Sequence, residues 1–215
     1  MSIQLKNTLL GLGIVFVGIM GCSRPANAEQ ILQNEDYSTF VQWCENKERI
    51  SPEARHTVEV LLEKVQTQDC ATASERLTNL NALNLDRNQI TNISPLSTLT
   101  NLVFLWLNDN HITDISPLSP LTNLRYLNIR ENQIIDISPL SPLINLTILR
   151  LNDNQIVDVS SFSKLTNLTI LHLNDNQITD ISHLSKLTNL TGITLSGNPL
   201  TNPTCPVQPE SICEF

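Results

Sequence analysis

The chain has 215 residues, with 13 Lys and Arg against 21 Asp and Glu and a formal net charge of −8. That sign repels phosphate and argues against sequence-independent binding to nucleic acid, and no run of Lys or Arg offers a basic face to an anionic membrane. Charged residues are only 16% and aromatic residues only 4%, while leucine, isoleucine and asparagine recur at regular positions, which suits a repeat protein better than an ordinary enzyme domain.

The N-terminus reads as a targeting segment. One positive side chain, Lys6, precedes an apolar run of 12 residues from Leu9 to Met20. A spanning helix needs roughly 20 residues, so the run suits a secretory signal instead. Two exits compete. Ala26-Asn27-Ala28 offers cleavage before Glu29, making residues 1–28 the signal. Ile19-Met20-Gly21-Cys22 resembles a bacterial lipoprotein box, in which residues 1–21 leave and Cys22 is acylated. Either exit exports the chain, to the envelope, the periplasm or the medium. Membrane contact is expected only through a lipid on Cys22.

Removing Cys22 leaves Cys44, Cys70, Cys205 and Cys213. Four cysteines allow three pairings. Cys44 with Cys70 and Cys205 with Cys213 is the economical one in an oxidising compartment, because the other two reach across the whole repeat array. A metal site is the rival reading, but no C-x-x-C or His-rich partner supports it.

Residues 29–77 are expected to form a helical N-terminal cap, with helical spacing visible from about residue 36. Ala54, Val58, Leu61, Leu62 and Val65 follow a Ser51-Pro52 start, which places an N-cap and a first-turn proline correctly. Phe40, Val41 and Cys44 suggest an earlier helix, and Asp69 suggests the cap of a third beginning near Cys70.

Asn88, Asn110, Asn132, Asn154, Asn176 and Asn198 follow one another at intervals of 22 residues. Around them runs L-x-x-L-x-L-x-x-N-x-I-x-x-I-S-P-L-S-x-L-T-N. One unit reads Leu102, Leu105, Leu107, Asn110, Ile112, Ile115, Ser116, Pro117, Leu118, Leu121. The L-x-L step has period two, so each unit holds one short strand with two leucines inward. Each return brings the chain one layer on, about 4.8 Å away in a parallel sheet. The asparagines turn inward and pair buried backbone groups of adjacent turns, a structural role. Ser-Pro-Leu at 94–96, 116–118 and 138–140 predicts short 3₁₀ turns on the convex side. Asn145-Leu146-Thr147 and its copies at 167 and 189 match a glycosylation sequon but belong to the repeat.

This pattern resembles the leucine-rich repeat family, in the 22-residue class of bacterial internalins, over residues 77–200. The resemblance implies an α/β solenoid: six repeats over residues 78–203, a parallel concave sheet, a 3₁₀ or irregular convex side, and a cap at each end. Residues 204–215 are expected to form a short cysteine-clipped C-terminal cap. This tail, with the Phe40-to-Cys70 stretch, is similar to the ends of small secreted leucine-rich repeat proteins of cyanobacteria. Unlike the internalins, the sequence is expected to carry no immunoglobulin-like domain or wall anchor after the repeats, so the resemblance is not extended to host-receptor binding.

Function is expected on the concave face. Phe104, Trp106 and Tyr126 fall together there on adjacent strands, where rigid exposed aromatics make interface anchors. Ile148 and Ile170 extend an apolar strip; Arg130, Arg150 and His172 supply a polar side. Arg130 is expected to lie over the Trp106 indole. Phe162 falls on an inward leucine position. The first reading is a protein-binding module. A glycan- or peptidoglycan-binding envelope protein, using the same rings with Asn128 and Asn152, is the second, and an enzyme accessory the third. Asp109, Glu131, Asp153 and Asp175 stack into a column that could invite calcium, though a solvated acidic edge is the simpler reading. Asp114, Asp136, Asp158 and Asp180 form a second column explained by capping of the convex turns. His172 has no nucleophile paired with it by any motif, and no glycine-rich phosphate loop exists, so no catalytic residue, cofactor or metal is expected.

Overall fold

The computed structural model describes residues 37–215. The signal, the lipoprotein box and Cys22 lie outside the described residues. Among those described, no helix is long and apolar enough to cross a membrane.

Three helices form the N-terminal end: α1 (Phe40–Glu45), α2 (Pro52–Lys64) and α3 (Cys70–Thr78). Each starts on a side chain that accepts a first-turn N–H, as the sequence signals require. Thr39 and Gln42 form a reciprocal capping box. Ser51 accepts from Ala54 N at 3.1 Å, with Pro52 at the first helical position. Asp69 accepts from Thr72 N at 2.8 Å. Phe40, Trp43, Cys44, Val58, Leu61, Leu62 and Leu77 are buried together, and a Cys44–Cys70 disulfide ties α1 to α3 with Cα atoms 5.6 Å apart.

A stack of repeats leaves its first layer without a preceding neighbour. Here α2 fills that place with side-chain donors. His56 Nε2 donates to Asn88 O and Thr57 Oγ1 to Asn92 O, both at 2.6 Å. Thr57 is fully buried to do so.

The strands are β1 (Ala82–Asn84), β2 (Phe104–Trp106), β3 (Tyr126–Asn128), β4 (Ile148–Arg150), β5 (Ile170–His172), β6 (Gly192–Thr194) and β7 (Cys213–Glu214). They pair in sequence order, all parallel, in one sheet. The register equals the repeat length, so Leu83, Leu105, Leu127, Leu149, Leu171 and Ile193 lie side by side. All six are buried. Short 3₁₀ turns at Ser94–Thr98, Ser116–Leu118, Ser138–Leu140, Ser160–Lys164 and Ser182–Lys186 return the chain. Phe162 takes a leucine's place in the core and is fully buried.

The C-terminal end goes beyond a clipped loop. A second disulfide, Cys205–Cys213, sets β7 against β6, and Leu195 N donates to Glu214 O at 2.7 Å. The outer edge of β6 is thereby paired, and the sheet ends on a strand of only two residues, a short edge that discourages edge-to-edge pairing.

The asparagine ladder is built as the sequence implies. Asn132 Oδ1 accepts from Ile112 N at 3.0 Å, and its Nδ2 donates to the carbonyls of Leu107, Ile129 and Arg130. Asn110, Asn154 and Asn176 do the same in their own layers, and Asn198 accepts from Ile178 N and donates to the carbonyls of Leu173 and Leu195. Asn88, the first, holds only Asp86 O with its amide nitrogen, because helix rather than repeat precedes it. Consecutive asparagines share carbonyls: Leu107 O receives both Asn110 and Asn132, and Ile129 O both Asn132 and Asn154. Asn132→Leu therefore leaves these carbonyls one donor each and orphans chiefly the Ile112 N–H. The expected cost is about 1–3 kcal/mol, read as a lower urea midpoint. Wild-type stability in this variant would contradict the ladder.

A second ladder lies on the convex approach. Asn101, Asn123, Asn145, Asn167 and Asn189 donate their amides to backbone carbonyls of the preceding layer at 2.7–2.9 Å. The sequons that include Asn145, Asn167 and Asn189 are thus part of the scaffold.

The convex aspartates cap the 3₁₀ turns. Asp114, Asp136, Asp158 and Asp180 each accept the backbone N–H of the serine two residues on with one oxygen and its hydroxyl with the other. The bonds from Ser160 hold the Asp158 carboxyl below its usual 3.8, backbone first and hydroxyl second. Those from Ser182 do the same for Asp180. A folded pKa below the unfolded value means the stabilisation is present above the unfolded pKa and is lost as pH falls through the folded one. Between pH ~6 and ~2 the urea midpoint should fall, and Asp158→Asn with Asp180→Asn should flatten part of that fall. Asparagine is an adequate substitute, since Asn92 accepts from Ser94 N at 2.8 Å in the first repeat. An unchanged pH profile in the double variant would rule the two carboxylates out.

Candidate functional site

The sheet positions the concave side chains. Across β2 and β3 the register pairs Phe104 with Tyr126 and Trp106 with Asn128. Across β3 and β4 it pairs Tyr126 with Ile148 and Asn128 with Arg150, and across β4 and β5 Ile148 with Ile170 and Arg150 with His172. Two columns result. One is apolar, running Phe104, Tyr126, Ile148, Ile170; beside it runs Trp106, Asn128, Arg150, His172.

The three rings form one cluster. Trp106 and Tyr126 have centroids 5.1 Å apart, Phe104 and Trp106 lie 6.3 Å apart and nearly parallel, and Phe104 and Tyr126 are 6.5 Å apart. These spacings are within the range of favourable aromatic pairs. Phe104 is 40% exposed; Trp106 and Tyr126 are half-buried. The Tyr126 hydroxyl accepts from Asn128 Nδ2 at 3.3 Å.

Arg130 does not lie over Trp106. Its Nε pairs with the neighbouring Glu131 carboxylate at 3.3 Å. It stands beyond the three-residue strand, where the chain already bends, so its reach is along the turn. The cation over a ring is Arg150, whose guanidinium carbon is 5.9 Å from the Tyr126 centroid, within cation–π range. His172 neighbours Arg150, and burial first and the Arg150 charge second hold its imidazole below the usual 6.5, against a smaller opposite effect of Glu214. Both lowering effects favour the neutral imidazole, which offers one donor and one acceptor.

Asn128, expected to face outward, is largely covered, as is Asn108 two residues before the ladder asparagine of its repeat. Asn108 is 8% exposed and Asn128 5%. Several buried polar atoms without a protein partner fall on this face: the amide oxygens of Asn108, Asn128 and Asn152, the Nε of Arg150 and the hydroxyl of Thr194.

The acidic column shares a backbone conformation. Asp109, Glu131, Asp153 and Asp175 all have φ between 53° and 55°, and Gly197 continues the column at φ 76°. The ladder asparagine needs a left-handed residue before it, a conformation that Asp tolerates and Gly adopts freely. Two of the carboxylates pair with arginine: Asp109 with Arg87 at 3.2 Å and Glu131 with Arg130. Among the described residues no group of three or more His, Cys, Asp or Glu could hold a metal ion.

The leucine-rich repeat family model, described as two copies of the repeat, matches residues 78–120, 100–142, 122–164, 144–186 and 166–204. No curated protein sequence matches the chain. Among solved structures, an internalin C2 from Listeria monocytogenes is 48% identical, covering 58% of this chain and 55% of that one, with a TM-score of 0.56. A second Listeria monocytogenes internalin, internalin F, is 34% identical over 68% of this chain and 57% of that one, with a TM-score of 0.50. A leucine-rich repeat protein of Leptospira interrogans is 31% identical over 58% and 33% of the two chains, with a TM-score of 0.55. The chain thus spans little more than half the length of the internalins it matches. Five overlapping matches set one repeat apart, on a sheet whose register is the same repeat, leave one conclusion: the chain belongs to the leucine-rich repeat family, and its structural neighbours are of the internalin type.

Proposed function

We propose that this protein is an exported, non-enzymatic binding module that holds a protein partner on its concave face. The observation that carries this is the ring cluster of Phe104, Trp106 and Tyr126, presented on strands too short and too tightly registered to move independently. Rigid aromatics bring contact area with little loss of side-chain entropy on binding. The site adjoins Ile148, Arg150 and His172, with Arg130 at its rim. Internalin-type folds are commonly protein-binding, which supports a protein over a small molecule. The disulfides fit an oxidising compartment, which supports export, whether the mature chain begins at Glu29 or at an acylated Cys22.

The test is Trp106 fluorescence. The other tryptophan, Trp43, is buried in the helical end and should be silent. Titration with envelope proteins fractionated from the source cell should quench or shift the emission, while Trp106→Phe should bind without the signal. A response to neutral oligosaccharides and to no protein fraction would favour a glycan-binding envelope protein instead.

A further inference from the structure

On the concave strands Arg150 is a cation that no carboxylate among the described residues answers. Arg87 pairs with Asp109 and Arg130 with Glu131. Arg150, between them and His172 on the sheet, has no carboxylate partner among the described residues, and its Nε is buried without an acceptor. Its guanidinium leans on the Tyr126 ring at 5.9 Å. The chain as a whole is at −8, so an unpaired cation here is not one of a basic surface. Arg150 as a whole is only half-buried, so its terminal guanidinium nitrogens, rather than the covered Nε, are the donors that an incoming acceptor meets.

The neighbours define what should arrive. A guanidinium already oriented by a ring presents a planar fork that matches a carboxylate. Asn108 and Asn128, each more than nine-tenths buried, have amide oxygens with no protein partner, as has Asn152. The exposed row Asp109, Glu131, Asp153 and Asp175 borders the same face. It would repel a polyanionic glycan but tolerate a protein segment with one acidic residue among neutral or basic ones. A neutral glycan would leave Arg150 unanswered.

We propose that Arg150 receives an Asp or Glu side chain of the protein partner, held between Tyr126 and His172, with an apolar residue of the same segment on Phe104 and Trp106. This rests on the protein-binding reading of the face. Arg150 sets specificity: the rings bind apolar surface in general, and the cation selects segments with an acid at the right distance. His172, its neutral form favoured by burial and by Arg150 itself, adds a hydrogen bond without a second charge.

The probe is a library of random peptides displayed on phage and panned against the full chain. The wild type should enrich peptides with one acidic residue near an aromatic or aliphatic one. Arg150→Gln should lose the acidic preference and weaken the selected peptides by about tenfold or more. Arg150→Glu should enrich lysine or arginine in place of the acid. Because Arg150 forms no ion pair among the described residues, neither variant is expected to unfold the protein, and thermal melts run alongside check this. An acidic preference that survives in Arg150→Gln, or apolar peptides enriched without an acid, overturns this inference and leaves the protein-binding reading standing. No enriched peptide at all, with carboxylated oligosaccharides binding the wild type but not Arg150→Gln, overturns both.

Discussion

Alanine at both Trp106 and Tyr126 is expected to abolish partner binding. Truncating a central aromatic anchor commonly costs 2 kcal/mol or more, about thirtyfold in affinity, and the two rings together well beyond that. They are not independent. With centroids 5.1 Å apart, each props the other, and Tyr126 also carries the Arg150 guanidinium. Losing Tyr126 alone should therefore cost more than its own contact area, since Arg150 loses its support. The stability cost is smaller, because aromatic pairs contribute about 0.5–1.5 kcal/mol each and the inward Leu105 and Leu127 remain buried. Calorimetric titration and thermal melts on the same samples separate the two effects. Thr113 and Ile135 lie off the sheet and Ile135 is 58% exposed, so alanine at either should change neither. Binding that persists without both rings would move the site off the concave face, to one of the ends.

Much of this molecule is legible in its sequence because one period governs it. The spacing of Asn88 to Asn198 fixes repeat length, strand position and strand register together, since in a solenoid these are the same quantity. The helix starts at Ser51 and Asp69 are legible for a local reason: a capping side chain must stand next to the N–H groups that it satisfies. What escapes is decided by backbone dihedrals or side-chain direction. Asp109, Glu131, Asp153 and Asp175 look like cation ligands when only charge is read, yet their common property is a positive φ. Gly197 at the same place in the next unit is the sequence signal of that conformation. Asn145, Asn167 and Asn189 look like sequons, yet equivalent asparagines at 101 and 123 without the sequon make the same bond. The ring cluster follows from register, but which arginine joins it does not. Arg130 and Arg150 are both near enough in sequence; only Arg150 is on a strand, with Asn128 and His172 as its lateral neighbours.

Breaking the disulfide in the helical end, by Cys44→Ala with Cys70→Ala, is expected to lower stability by about 3–4 kcal/mol on a loop-closure estimate for its separation. The bonded cysteines are 26 residues apart. Cys205 and Cys213 are 8 apart, and their loss should cost about 2–3 kcal/mol. The larger effect has a second source beyond chain entropy. The disulfide holds α1 against α3, and the helical end supplies the donors of His56 and Thr57 to the first repeat. If that end loosens, Leu83 and Leu85, now buried, face water, and in a nearest-neighbour stack the damage passes to the second layer. Hydrogen exchange should thus accelerate first at the amides of Leu85 and Arg87, which bond to Trp106 and Asn108 carbonyls, and last in β4 and β5. Chain entropy alone would instead leave the order of exchange unchanged and lower all protection together. Equal urea midpoints for the double variant and the wild type would mean that Phe40, Trp43 and Leu77 hold the end in place by packing alone.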